Sequence, residues 1–212
     1  MRTALVLGVV LLSIGCNGGK KLDGFEGDIT LHTTSATQSQ DMVLEVKKDK
    51  MRFDSTSADG PVHGVLDPVA HKVTLYSDPT KTYTDLDFSG AKGQSNTSGD
   101  TANVKQTGKH ETIAGYDCED WTVNDPSGKR TELCVAQGLV YFDLGSLRGG
   151  GQSTSPLSKQ FEEMKSFPLR SVEFDASGKE LTRSEVTKIE PKSVDDARFL
   201  PPAGYTQISL KK

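Results

Sequence analysis

Between residues 27 and 210 apolar side chains recur mainly at every second position, in short runs rich in Val, Thr, Leu and aromatics separated by Gly, Pro, Asp and Ser. Period two is the spacing of a strand with one buried face, and turn residues at regular intervals predict an antiparallel, all-β framework. The first run is 27–33. In the second, 42–47, Met42, Leu44 and Val46 share one face and Glu45 and Lys47 the other, and 48–50 turns the chain into 51–54. Runs at 62–66, 72–76 and 81–88 follow, and their spacing predicts a meander. Further strands are expected at 103–111, 120–124, 130–135, 139–143, 170–175, 181–189 and 205–210.

The period changes to a helical one at 156–166, where Leu157, Phe161 and Met164 fall on one face, Pro156 suits the first turn and Ser155 the N-cap. A shorter helical turn is expected from Ser193, at capping-box spacing from Asp196, before Phe199-Leu200-Pro201-Pro202 stops it. Two stretches hold little to bury and are expected to be mobile loops, 89–102 and 145–155. The second contains Gly149-Gly150-Gly151 but lacks the Gly-Lys-Ser/Thr ending of a phosphate-binding loop, so it reads as a linker.

The N-terminus departs from this pattern. Arg2 precedes an apolar run from Ala4 to Leu12, then Ser13-Ile14-Gly15-Cys16 and the polar Asn17-Gly18-Gly19-Lys20-Lys21. The run is shorter than the roughly 20 apolar residues a spanning helix needs and has the layout of a cleaved secretory signal. With Gly15 before Cys16 it resembles a bacterial lipobox, although Ser13 replaces the Leu preferred at that position. The resemblance implies a signal peptide over 1–15, acylation of Cys16, a lipidated tether over 16–24 and one domain over 25–212. Anchoring would come from the acyl chains, at about 0.8 kcal/mol per buried methylene. An ordinary cleaved signal that leaves Cys16 as a spare thiol is the alternative. Asn17 is not the Asp that retains lipoproteins of enteric bacteria in the inner membrane, which implies the outer membrane, facing the periplasm.

The 212 residues suffice for one domain with a substantial core. The net charge of −4 becomes −5 once Arg2 leaves, and no basic stripe with interleaved aromatics occurs, which argues against a nucleic-acid partner. Removing Cys16 from the three cysteines leaves Cys118 and Cys134, flanking two strand-like runs and the turn 124–129. A disulfide across that hairpin is expected to stabilise the fold by about 3 kcal/mol on the chain-entropy account, with Trp121 packed beside it. A redox pair reads Cys-x-x-Cys and structural zinc needs four ligands, whereas His32, His63, His71 and His110 are scattered. No metal or cofactor is therefore expected. No Gly-x-Ser-x-Gly or His-Glu-x-x-His occurs, so no enzyme is expected. The carboxylates at Asp117, Glu119, Asp120, Glu162, Glu163, Asp195 and Asp196 read as solvated faces.

Several stretches resemble an uncharacterised bacterial envelope lipoprotein family, itself similar to the LolA/LolB lipoprotein carrier and receptor superfamily. They are Val65-Leu66-Asp67, 72–76, 81–87, Thr107-Gly108-Lys109 through 113–121, Leu133-Cys134-Val135-Ala136 and 199–205. The likeness implies an open antiparallel half-barrel with one or two short helices packed against its concave face. Such a face is shaped to hold an acyl chain, with Met42, Leu44, Val46, Leu157, Phe161 and Met164 as candidate lining. The same stripe also marks any sheet that packs on its own helix. The expected function is a non-enzymatic, membrane-anchored module binding a lipid, acyl chain or lipopeptide. The alternative is an anchored scaffold that binds an envelope protein and has a filled core.

Overall fold

The computed structural model describes residues 19–57, 60–87, 103–139, 161 and 163–209. Its strands are β1 Glu26–Ser35, β2 Ser39–Lys47, β3 Lys50–Ser57, β4 Gly60–Asp67, β5 Lys72–Ser77, β6 Thr82–Asp87, β7 Asn103–Ile113, β8 Tyr116–Asn124, β9 Arg130–Gln137, β10 Ser166–Phe174, β11 Glu180–Pro191 and β12 Thr206–Gln207. They form one sheet in the order β12-β6-β5-β4-β3-β2-β1-β11-β10-β9-β8-β7. Every neighbouring pair is antiparallel except β12 with β6. Two meanders, β1 to β6 and β7 to β11, therefore join where β11 pairs with β1, and the sheet stays open. The expected mainly-β, open antiparallel class is what the chain adopts.

Period two divides the sheet into faces. On one, Ile29, Leu44, Val46, Leu66 and Val73 of the first meander share a buried cluster with Cys118, Ala136, Leu169 and Val186 of the second, and with Leu22 and Phe25 ahead of β1. Each such aliphatic side chain contributes about 1.5–3 kcal/mol. The opposite face carries two smaller clusters: Trp121, Val123, Leu133, Val135 and Phe161, and Val65, Tyr76, Val194 and Phe199.

The turns β8–β9 and β10–β11 are built alike. Asp125 Oδ1 accepts hydrogen bonds from Ser127 N at 2.7 Å, Ser127 Oγ at 2.6 Å and Lys129 N at 3.0 Å. Asp175 does the same with Ser177 and Lys179 at 2.9, 2.6 and 3.0 Å. Gly128 and Gly178 supply the positive φ that closes each turn. The turns adjoin, since a Cβ on Gly128 would lie 3.3 Å from that of Ala176.

Several local expectations shift. β10 begins at Ser166, within the predicted helix, because 166–168 pair with β9; Pro168, lacking an N–H, sits at the irregularity in that pairing. Of that helix, 156–160 and 162 lie outside the described residues, as do Leu157, Cys16, the loops 89–102 and 145–155, and 140–143 of a predicted strand. The final strand shortens to Thr206–Gln207. The late helical turn is a 3-10 helix, Asp196–Phe199, capped by Asp195, whose side chain accepts from Ala197 N at 2.9 Å. Ser193 does not cap it because its hydroxyl faces Glu26 at 3.4 Å. This helix packs over Val65 and Tyr76, on the face opposite the main core.

The join between meanders is sterically narrow at Gly27, where φ is +148° and a Cβ would lie 2.1 Å from the Glu190 carbonyl oxygen. Gly27→Ala is expected to lower unfolding free energy by about 2–4 kcal/mol. Gly115→Ala, at a turn with open space around its Cβ, should cost only about 1 kcal/mol. Urea midpoints of the two variants check the difference.

Candidate ligand cleft at one end of the sheet

The cleft forms where three short segments meet at one end of the strands. Lys47 pairs with Lys50 across a tight turn in which Lys48 takes a positive φ of 55°. Asp67 Oδ1 accepts from Ala70 N at 3.0 Å, and His71 N bonds the Pro68 carbonyl at 3.2 Å, which fixes the β4–β5 turn. The third wall is the segment after β11, which crosses the outer face of the first meander.

That segment is held at both main-chain and side-chain atoms. Glu26 Oε1 accepts from Val194 N at 2.6 Å, and Lys47 Nζ donates to the Val194 carbonyl at 2.6 Å. Lys47 also pairs with Asp196 at 3.0 Å and Glu26 at 3.6 Å. Arg198 reaches Glu45 at 2.7 Å, and Arg52 Nη1 donates to the Arg198 carbonyl at 3.3 Å. Farther on, Tyr205 Oη donates to Asp78 at 2.6 Å. Asp195 and Asp196 are exposed, as expected, and serve in addition as a cap and an ion-pair partner.

The result is a cleft of about 560 Å³ lined by Val69, Ala70, Phe199 and Leu200 together with Lys47, Lys48, Asp49, Lys50, Asp67 and Asp196. Lys50 pairs with Asp67 at 3.0 Å. Among the described residues, Lys48 and Asp49 have no ion pair. The Val194 N–H, helped by Lys47, holds the Glu26 carboxyl below its ordinary range. Asp196 is lowered by its hydrogen bond from Lys47, whose own ammonium is raised by the same bond. Burial pushes Asp67 up, but the Ala70 N–H and Lys50 outweigh it.

Two other polar groups carry less. His63 lies between Asp54 (Nδ1, 2.7 Å) and Asp78 (Nε2, 3.2 Å), so both ring nitrogens face carboxylates. Glu111, Asp120 and Cys134 lie close enough to suggest a cation site. However, the Cys134 sulfur is bonded to Cys118, and Arg170 forks onto Glu111 at 2.7 and 2.8 Å and approaches Asp120 at 3.5 Å. A guanidinium already occupies the place of a cation.

The residues singled out from sequence scatter. Cys118 and Cys134 are joined and fully buried, bridging β8 and β9. Trp121 is not beside them: three residues from Cys118 it faces the other side of the strand, stacked on Phe161 with ring centroids 5.5 Å apart. Leu44 and Val46 are core residues, Met42 is half-buried beside them, and Met164 is partly exposed. Phe161 therefore lies on the face opposite the Met42, Leu44 and Val46 stripe. No periodic pattern marks the cleft. Its only sequence signals are Val69, an apolar residue inside an Asp-Pro turn, and Leu200, beside the prolines that end the helix.

Fold and site define a mainly-β, open-sheet protein with an amphipathic end cleft. The chain belongs to the family described as "Domain of unknown function (DUF4412)", which matches residues 25–205. No curated protein matches the sequence. The structure is similar to that of an uncharacterized conserved protein from Thermus thermophilus, at 10% identity and TM-score 0.54, covering 88% of this chain and 91% of that one. Weaker likenesses include the MucA/MucB complex structure of Pseudomonas aeruginosa, at 12% identity and TM-score 0.45, covering 84% of this chain and 56% of that one. Another is a putative outer membrane lipoprotein-sorting protein domain from Vibrio parahaemolyticus, at 12% identity and TM-score 0.31, covering 82% and 87%. Likeness at these identities concerns the fold alone.

A carboxyl lowered by folding adds stability that is complete above its ordinary pKa and lost as pH falls through its lowered value. Glu26 and Asp196 should therefore release the segment after β11 only in acid, below the ordinary values of 4.5 and 3.8. Lys47, raised above 10.5, withdraws its contribution only at still higher pH. The Val194 amide resonance is expected to titrate with a midpoint below 4.5, and Lys47→Met to move that midpoint upward.

Proposed function

We propose that the protein is a lipid-anchored module of the bacterial cell envelope that binds a hydrophobic ligand, a lipid, acyl chain or lipopeptide, in the end cleft. The observation that carries this reading is the cleft itself, whose lining combines the apolar Val69, Ala70, Phe199 and Leu200 with three lysines and three aspartates. An acyl group suits the apolar part of that lining and a charged or zwitterionic head its lysines and aspartates. A ligand against Met42, Leu44 and Val46 would have to displace packed core, because Leu44 and Val46 are buried. The cleft requires no such displacement. In this reading residues 1–15 are removed, Cys16 carries the anchor, and the module sits at the outer membrane, facing the periplasm.

A second reading, an anchored scaffold that binds an envelope protein, is favoured by the same filled core. Native mass spectrometry of the mature protein, with lipid analysis after denaturation, separates the two. The binding reading expects an acyl species near one per chain. It also expects Phe199→Ala and Leu200→Asp to weaken retention roughly tenfold through lost apolar contact. A protein that stays free of lipid when lipid is offered would support the scaffold instead. Cys16→Ser is expected to abolish membrane fractionation and incorporation of labelled fatty acid.

A further inference from the structure

Val69 and Leu200, 74% and 57% exposed, are the most exposed large apolar side chains among the described residues. Both line the cleft. The chain ahead of β1 runs along this same end of the sheet. Lys20 N donates to the Gly115 carbonyl at 3.1 Å, Asp117 N donates to the Lys20 carbonyl at 3.0 Å, and Leu22 N donates to the Gln137 carbonyl at 3.2 Å. The registers place those positions at the strand ends that also hold Gly27, the Lys47 to Lys50 turn and the Asp67 to Lys72 turn. The two halves of this end are in physical contact, since Leu22, Tyr116 and Ala136 belong to one buried cluster with Val46 and Leu66.

Lys20 and Leu22 are bonded to the sheet, so no more than three residues of chain separate an acylated Cys16 from Gly19, the first described residue. Fully extended, three residues reach about 10 Å. An acyl group on Cys16 therefore holds this end of the molecule against the bilayer, with the opposite turns at Asp125 and Asp175 pointing away.

We propose that this end docks on the phospholipid bilayer, with Val69 and Leu200 in the interfacial layer and the cleft opening onto lipid. The inference rests on the anchoring reading above. Lys47 and Lys50 are matched by Asp196 and Asp67, and Lys48, without an ion pair among the described residues, is offset by its neighbour Asp49. The charges lining the cleft are thus balanced, and at the cleft apolar insertion rather than net charge holds the contact. The docked site would draw its ligand laterally from the membrane.

The test uses the mature, anchored chain in vesicles of phosphatidylethanolamine and phosphatidylglycerol. An environment-sensitive fluorophore is attached at Val69→Cys, at Leu200→Cys and, as the control at the opposite end, at Leu181→Cys. With Cys16 acylated and Cys118 bonded to Cys134, the introduced thiol is the one available for labelling. Probes at 69 and 200 are expected to shift to the blue and to be quenched by spin-labelled lipid roughly threefold more than the probe at 181, with little change on raising salt. Probes at 69 and 200 that match the control while the protein floats with vesicles would overturn the proposal. A blue shift that needs no vesicles and grows with protein concentration would overturn it too, in favour of a second copy covering the end. Mass spectrometry of the same sample tells the failures apart. A chain without acyl groups defeats the anchoring reading and this proposal with it, whereas an acylated chain with aqueous probes defeats docking alone.

Discussion

The pairing of β1 with β11 is the constraint on which the architecture depends. Each meander is assembled from neighbours in sequence, but this join brings residues 27–35 against 182–191, with one irregularity between Thr30 and Leu31. Closing so long a loop costs entropy before any contact repays it, although the cost grows only slowly with length. The join offsets it with a full strand ladder, a Thr33 to Ser184 hydroxyl contact at 2.8 Å and the buried Ile29 and Val186 beneath. Gly27 permits the close approach at the end of the ladder. Without this join the two meanders would each leave an apolar face half covered.

The same join creates the cleft. β11 ends beside Gly27 at Pro191, and Lys192 N donates at once to the Glu26 carbonyl at 3.1 Å, which launches the following residues across the outer face of the first meander. Their ion pairs are mostly solvent-exposed, and exposed pairs contribute about 0–1 kcal/mol each. The holding force is apolar: Val194 and Phe199 are buried against Val65 and Tyr76. The charges choose the register. Asp28 with Lys192, Glu45 with Arg198 and Lys47 with Asp196 leave few alternative ways to lay the segment down. Burial has a visible cost here, since the Tyr76 hydroxyl has no hydrogen-bond partner among the described residues and its pKa is pushed up to about 12.

The disulfide and the tryptophan show how far local pattern carries. Two cysteines flanking a turn implied a cross-strand bridge, and a bridge is what joins β8 to β9. Trp121 was placed beside it by proximity in sequence, yet the pleat sends positions 118 and 121 to opposite faces. The odd-numbered side chains of β8 and β9 instead make a separate cluster with Phe161, a residue whose neighbour could not be inferred from helical spacing alone.

Period-two alternation and turn residues determined by themselves that this chain is an antiparallel β protein, because a half-buried strand imposes that spacing residue by residue. Most strand positions, the hairpin bridge and the polar turns followed from the same local rule. Tertiary structure decided what no local rule contains: that β11 returns to β1, that Asp195 rather than Ser193 caps the last helical turn, and that Val69 and Leu200 line one cleft. Those two residues are separated by most of the chain, and only the laying of the last segment over the first meander brings them to one place. The candidate site was illegible for that reason. Its walls are single apolar residues in turns, without periodicity, and they acquire meaning through the long-range pairing that sets them side by side.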